Sequence, residues 1–334
     1  MTHSYRDPLS EVWLSAAMKI GLRVSRSNDA FAHSDGAGGL EIAHADQLDE
    51  DDCLAQMIFH ELCHSLVEGP ESFDKPDWGL NNQSDEDNER EHATLRVQAL
   101  LAGRYGLRAL LGPTTNFRHF YDELSPDPLL PRQSESSCLA RLAIRRSATN
   151  PWWPHLGKAL EATADIARTA AKWPAPSGSP SLYRLVAAPL PVHASGLHAR
   201  LGDKASEDSC AGCAWRQDSG HCHQADRVVA ADEPSCERYE PPFDCLDCGA
   251  CCRSAYHSVT ISEGDLITER HPGLLVHHES YSEVRRDGDH CGALDSSTGK
   301  HLCTIYEDRP TCCREFANAG HNCITARRRL GFSL

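Results

Sequence analysis

Eight residues constrain this chain more than any other stretch: Cys245-Leu246-Asp247-Cys248-Gly249-Ala250-Cys251-Cys252. A C-x2-C bite brings two sulfurs to one metal or cluster. Gly249 lets the backbone fold tightly over it. Cys252 follows Cys251 directly, and neighbouring side chains diverge, so these two are expected to serve different metal centres. A disulfide-rich knot is the competing reading, and it needs an oxidising compartment. The first residues show no basic segment followed by an apolar core, so no export signal is expected. No run approaches the roughly 18 apolar residues of a membrane span. The expected location is the cytoplasm, where cysteines bind metals before they pair with one another.

Sixteen cysteines divide unevenly along the 334 residues. Cys53, Cys63 and Cys138 come early and read as buried small apolar residues. Cys210, Cys213, Cys222 and Cys236 make one set of four, enough for a tetrahedral zinc or a [4Fe–4S] cluster. His221 and His223 flank Cys222 and offer substitutes. With Cys312 set aside, Cys245, Cys248, Cys251, Cys252, Cys291, Cys303, Cys313 and Cys323 make two further sets. The expected cofactors are therefore as many as three [4Fe–4S] clusters, or zinc, at the cysteine sites. Thiolate suits both, and the spacing alone decides neither.

From about residue 241 to 334 the chain resembles the CxxCxxCC, or YkgJ-type, cysteine-cluster proteins, a zinc- or iron-chelating family. The resemblance rests on Cys245, Cys248, Cys251, Cys252, Cys291, the Cys303-Thr304-Ile305-Tyr306 block, and Arg309-Pro310 leading to Cys313-Arg314. It implies metal or iron–sulfur binding and no particular reaction.

The first half carries different chemistry. Phe59-His60-Glu61-Leu62-Cys63-His64 contains an H-E-x-x-H motif. On a helix, His60 and His64 lie one turn apart and reach one ion, while Glu61 beside them takes a proton from water. Leu54, Ile58, Leu62 and Leu66 give this helix a buried stripe. The acidic run 46–52 is expected to load its start, and Gly69-Pro70 to end it. The arrangement resembles the zincin metallopeptidases over roughly residues 20–105. A catalytic zinc needs a third protein ligand. A second helix expected over 86–105 offers Glu86, Glu89, Glu91 and His92. Glu91 is the choice and His92 the runner-up, because Glu91, 27 positions after His64, opens a clean helical run. Cys63 is expected on another face.

The fold class expected is α+β: a mostly helical, zincin-like domain over 1–173 with a small sheet, then a loop-rich cysteine region. Strands are expected at 22–25 and 40–43 with a Gly36–Gly39 turn between them, and helices at 134–147 and 155–173. Residues 174–180 read as a linker. A four-cysteine segment spans 182–240, and the cysteine-cluster domain 241–334. The formal charge of −15 argues against nucleic acid and anionic membranes as partners. The short run Arg327–Arg329 reads as a solvated helix end. Two functions follow. One is a zinc-dependent hydrolase, most simply a peptidase acting on a peptide or protein, with zinc on His60, His64 and Glu91 and with Glu61 as general base. The other is an iron–sulfur redox or maturation protein with a redox partner, in which the H-E-x-x-H site holds a non-hydrolytic metal or is structural.

Overall fold

Asp7 starts the first helix by accepting a hydrogen bond from Ser10 N, with Pro8 in the first turn. This helix, α1 (Pro8–Ile20), turns Leu9, Trp13, Ala16, Ala17 and Ile20 inward. The computed structural model describes residues 4–81, 85–113, 115–173, 180–202 and 207–334; the linker expected at 174–180 lies outside them except for Pro180. The chain forms two units. One comprises Met1–Val192, Arg200–Asp203 and Leu334; the other comprises His193–Ala199 and Lys204–Ser333.

In the first unit, strands β1 (Arg23–Ser27), β2 (Ala32–Ser34) and β3 (Gly39–Ala43) make one sheet in the order β1-β3-β2. The Gly-rich turn does not join the two strands expected from sequence. It joins β2 to β3, which pair antiparallel, while β1 lies parallel to β3. The acidic run does not open a helix either. Asp52 N bonds Asp49 O in a turn, and α2 (Leu54–Glu68) begins only after extended Cys53. Aspartates compete with the helix by bonding nearby backbone, and so favour turns.

Helix α2 is the centre of this unit. Of its fifteen residues, fourteen are buried, so it has no solvent face opposite the Leu54–Leu66 stripe. Helices α1, α3 (Asn88–Arg104) and α5 (Glu135–Arg146) and strand β3 surround it. Each large apolar side chain it buries contributes about 1.5–3 kcal/mol. Gly69 ends it at φ 87°, and Arg146 Nη1 donates to the otherwise orphaned Leu66 and Val67 carbonyls, both at 2.7 Å. Between α3 and α5 a short α4 (Arg118–Glu123) forms. Helix α6 (His155–Ala170) packs on α1, where Trp13 Nε1 donates to Thr163 Oγ1 at 2.9 Å.

The second unit is built from antiparallel ribbons: β4 (His221–Cys222) with β5 (Arg227–Val228), β6 (Leu275–His277) with β7 (Ser282–Val284), β8 (Arg286–Asp287) with β9 (His290–Cys291), and β10 (Leu294–Asp295) with β11 (Leu302–Cys303). Short helices α7 (Cys245–Cys248), α8 (Ile267–Arg270), α9 (Thr311–Arg314) and α10 (His321–Arg329) complete it. Its apolar cores are small. One gathers Trp215, Cys222, Val229 and Ile324; another gathers Ile267, Val284, Ala293 and Ile305. Cores of this size leave a fold dependent on cross-links or metals. None of the sixteen cysteines is in a disulfide. Taken together the chain is α+β, and among the described residues no helix is long and apolar enough to cross a membrane.

Candidate metal centres

Helices α2 and α3 pack side by side and bring three side chains to one point. His64 Nε2 lies 3.1 Å from His60 Nε2 and 3.2 Å from Glu91 Oε2; His60 Nε2 lies 3.8 Å from Glu91 Oε1. Zinc–ligand bonds of about 2.0–2.1 Å in a tetrahedron place ligand atoms about 3.3 Å apart. The trio therefore has the spacing of a single small ion, and its atoms all lie within 4.8 Å of one another. Glu91 Oε1 is buried with no hydrogen-bond partner, as suits an atom whose partner is an ion. Burial opposes charge on His64, but Glu91, with Glu61 and Glu68, outweighs it and lifts that imidazole to about 9. Burial likewise opposes the Glu91 carboxylate, and His64, His60 and His92 still hold it down at about 2.

His92, the alternative third ligand, faces elsewhere: it stacks on Phe120 at 3.9 Å. Glu89 accepts from Ser136 N at 3.0 Å. Cys63 is fully buried, and burial raises its thiol well above the ordinary range, so it stays protonated and inert. Cys53 and Cys138 are half-buried rather than core residues.

Sequence reasoning missed the residues that aim this trio. Gln98 Oε1 lies 2.9 Å from His60 Nδ1, and Gln98 Nε2 donates to Leu111 O at 2.7 Å. The amide is thereby oriented to accept from Nδ1–H, which leaves the Nε2 lone pair for a metal. Thr94 Oγ1 stands 3.3 Å from His64 Nδ1. The signal was present: 91, 94 and 98 share one helix face. Gln98→Ala is expected to weaken zinc binding about 10- to 100-fold, as read by competition against a chelator, with the helical circular dichroism unchanged. Trp78 comes from the segment between α2 and α3. Its Nε1 donates to Glu61 Oε2 at 2.8 Å. To reach it the backbone takes left-handed φ values at Asp77 (49°) and Trp78 (59°), which cost energy in residues other than glycine. The trio and Glu61 open on a cleft of about 630 Å³, walled by Phe31, Met57, Leu80 and Phe117 and rimmed by Asp85 and Asp87.

The thiols of the second unit gather in three groups. Cys210, Cys213 and Cys222 lie around Trp215, with Cys236 near Cys213 and Cys222; burial, then one another's charge, raises Cys210 and Cys236 to about 11. Trp215 Nε1 is buried there without a partner, a donor suited to a sulfur-rich centre. Cys245, Cys248, Cys251 and Cys323 line one small cavity. Gly249 shapes it, at φ 57°, where a Cβ would run into the His301 ring. Cys252, Cys291, Cys303 and Cys313 lie together in the third group: Cys291 N donates to Cys252 O at 2.9 Å, and Cys303 and Cys313 both sense Cys291 and also Cys251. Buried Asp265 holds α9, which carries Cys313, by accepting from Thr311 N at 2.8 Å and Arg314 Nη2 at 3.0 Å. Cys251 Sγ and Cys252 Sγ stand 3.8 Å apart at the seam of two groups. Cys312 is exposed, its thiol turned to Thr260 O.

Four thiolates on one zinc stand about 3.8 Å apart. Among the described residues, no three thiols come within 4.8 Å of one another. Thiolate sulfur suits zinc and iron–sulfur clusters alike. The expectation of a solvated Arg327–Arg329 run fails at Arg327, which is buried with only 5% exposure because its charge is fully paired inside the unit.

Residues 244–329 match the family model CxxCxxCC, described as "Putative zinc- or iron-chelating domain". The chain is 34% identical over 101 residues to the "Uncharacterized protein YkgJ" of Escherichia coli O157:H7, covering 93% of that protein and 27% of this one. The chain belongs to the CxxCxxCC family. A second relative, named "Putative ferredoxin", from Acinetobacter calcoaceticus, is 36% identical over 90 residues, covering 73% of its length and 26% of this chain. No solved structure matches. The CxxCxxCC match lies wholly in the second unit, so that unit is a metal-binding cysteine-cluster domain of the zinc- or iron-chelating kind.

Proposed function

We propose that this chain joins a zinc-dependent hydrolase centre to an iron–sulfur module. The observation that carries the first part is the convergence of His60, His64 and Glu91 at ion-binding spacing beside a buried, oriented Glu61. A zinc ion held by the trio supplies a Lewis acid and a means of making water nucleophilic near neutral pH. Glu61 takes the proton of the attacking water and returns it to the leaving group. Trp78 fixes the Glu61 carboxylate through one oxygen, and Glu61 lines the cleft. A peptide or protein segment is the substrate proposed, since the cleft is open, polar at its rim and apolar along its walls.

The iron–sulfur part rests on twelve thiols that fall into three groups of four. The ferredoxin name of one relative favours a second reading. In it the chain is a redox or maturation protein with a redox partner, and the first unit's metal is non-hydrolytic.

Metal analysis of anaerobically purified protein tests the assignment. Iron and acid-labile sulfide should appear in similar amounts, with about one zinc per chain. Zinc without sulfide would remove the iron–sulfur part and leave a zinc scaffold.

A further inference from the structure

Helix α10 carries Cys323 and, one turn later, Arg327, so both project from one face. Arg327 Nη1 donates to Cys248 Sγ at 2.9 Å. Its other nitrogens are also committed: Nη2 donates to Glu240 Oε2 at 2.6 Å, and Nε to Ser333 Oγ at 2.9 Å. The Phe243 ring lies 4.0 Å from its Cζ. Arg327 and Glu240 are 5% and 3% exposed. Burying a guanidinium this deeply is costly unless it is fully paired. Glu240 neutralises it, and the remaining N–H is aimed at a cysteine that lines the cavity shared by Cys245, Cys251 and Cys323.

We propose that Arg327 sets the reduction potential of the centre held by Cys245, Cys248, Cys251 and Cys323, with Glu240 as its opposing charge; this rests on the iron–sulfur reading of those thiols. Reduction adds one electron to the centre and neither makes nor breaks a bond. The added negative charge is stabilised by a cation touching a ligand sulfur, and a hydrogen bond to that sulfur acts in the same direction. Water barely screens either charge at this depth. Arg327 therefore raises the potential, and Glu240 lowers it. The residue is a positioning and tuning group rather than a ligand.

The test is a potentiometric titration of full-length, anaerobically purified protein, followed by electron paramagnetic resonance, with iron and sulfide measured in parallel. Arg327→Gln should retain the iron and move one midpoint to lower potential while the others stay fixed. Glu240→Gln should move that same midpoint upward. Arg327→Lys, which keeps the charge but not the fork of donors, should shift it down by less. Should Arg327→Gln fail to load, opposite shifts in the Lys and Glu240 variants still support the proposal. Loaded Arg327→Gln with every midpoint unmoved overturns it. So do Arg327 and Glu240 variants that shift in the same direction, since that marks a packing role. A wild type without sulfide overturns the proposal together with the iron–sulfur reading, whereas unmoved midpoints in loaded protein overturn the proposal alone.

Discussion

Glu61→Gln is expected to keep its zinc and lose turnover by about two to four orders of magnitude, the usual contribution of a positioned acid–base group. Glutamine keeps the shape and still accepts from Trp78 Nε1 through its carbonyl, so the fold has no reason to change. His60→Ala should behave differently. It removes one of the three converging atoms, so zinc leaves and activity falls with it. Glu91→Gln should also lose metal, because a neutral amide replaces the carboxylate that faces both imidazoles. His92→Ala should keep both metal and turnover, since its ring packs on Phe120. Trp78→Phe should retain zinc and lower turnover by less than Glu61→Gln. The measurement is zinc content beside initial rates on any peptide the wild type hydrolyses. Wild-type rates in Glu61→Gln would sink the hydrolase reading and leave the redox protein.

The second large effect concerns the cysteines. Serine at Cys210, Cys213, Cys222 or Cys236 should remove one centre, roughly a third of the iron and sulfide, and serine at any of the other eight grouped positions should remove up to two centres. Cys312→Ser should remove none, because that thiol is exposed and turned toward Thr260 O. Cys53→Ser and Cys138→Ser should be equally silent for iron, since both lie in the first unit. Full iron in Cys248→Ser, or iron lost in Cys312→Ser, would break the grouping. Loss of a centre should also loosen the second unit, whose small cores leave its ribbons reliant on the metals. Thermal unfolding of the serine variants measures that.

Much of this was legible in the residues. The i, i+4 spacing of His60 and His64 puts them on one face, and the periodicity after Glu91 puts that carboxylate on a facing helix. The cysteine count sorted into three sets of four, with the last eight left undivided between two of them. What escaped depended on tertiary packing. Helix α1 carried its signals in Asp7, Pro8 and the repeat Leu9, Trp13, Ala16, Ile20, but no functional motif drew attention to it. The parallel β1–β3 pairing depends on β2, a strand of three residues with too little pattern to read. Trp78 needed two left-handed residues that no propensity suggests. Arg327 looked like one member of a basic run, because a run of charge says nothing about which member a neighbouring sulfur and carboxylate will draw inward.

The seam at Cys251 and Cys252 has a consequence for how the second unit is filled. Adjacent residues share one peptide plane, so fixing one sulfur in a finished centre fixes the backbone that presents the other. The first centre to form hands its neighbour a prearranged ligand and spares it part of the ordering entropy. On the proposed grouping, loading is then expected to be cooperative: chains should hold both of these centres or neither, with half-filled molecules scarce. Damage travels the same way, since oxidation that strips one centre frees the shared backbone and loosens the other.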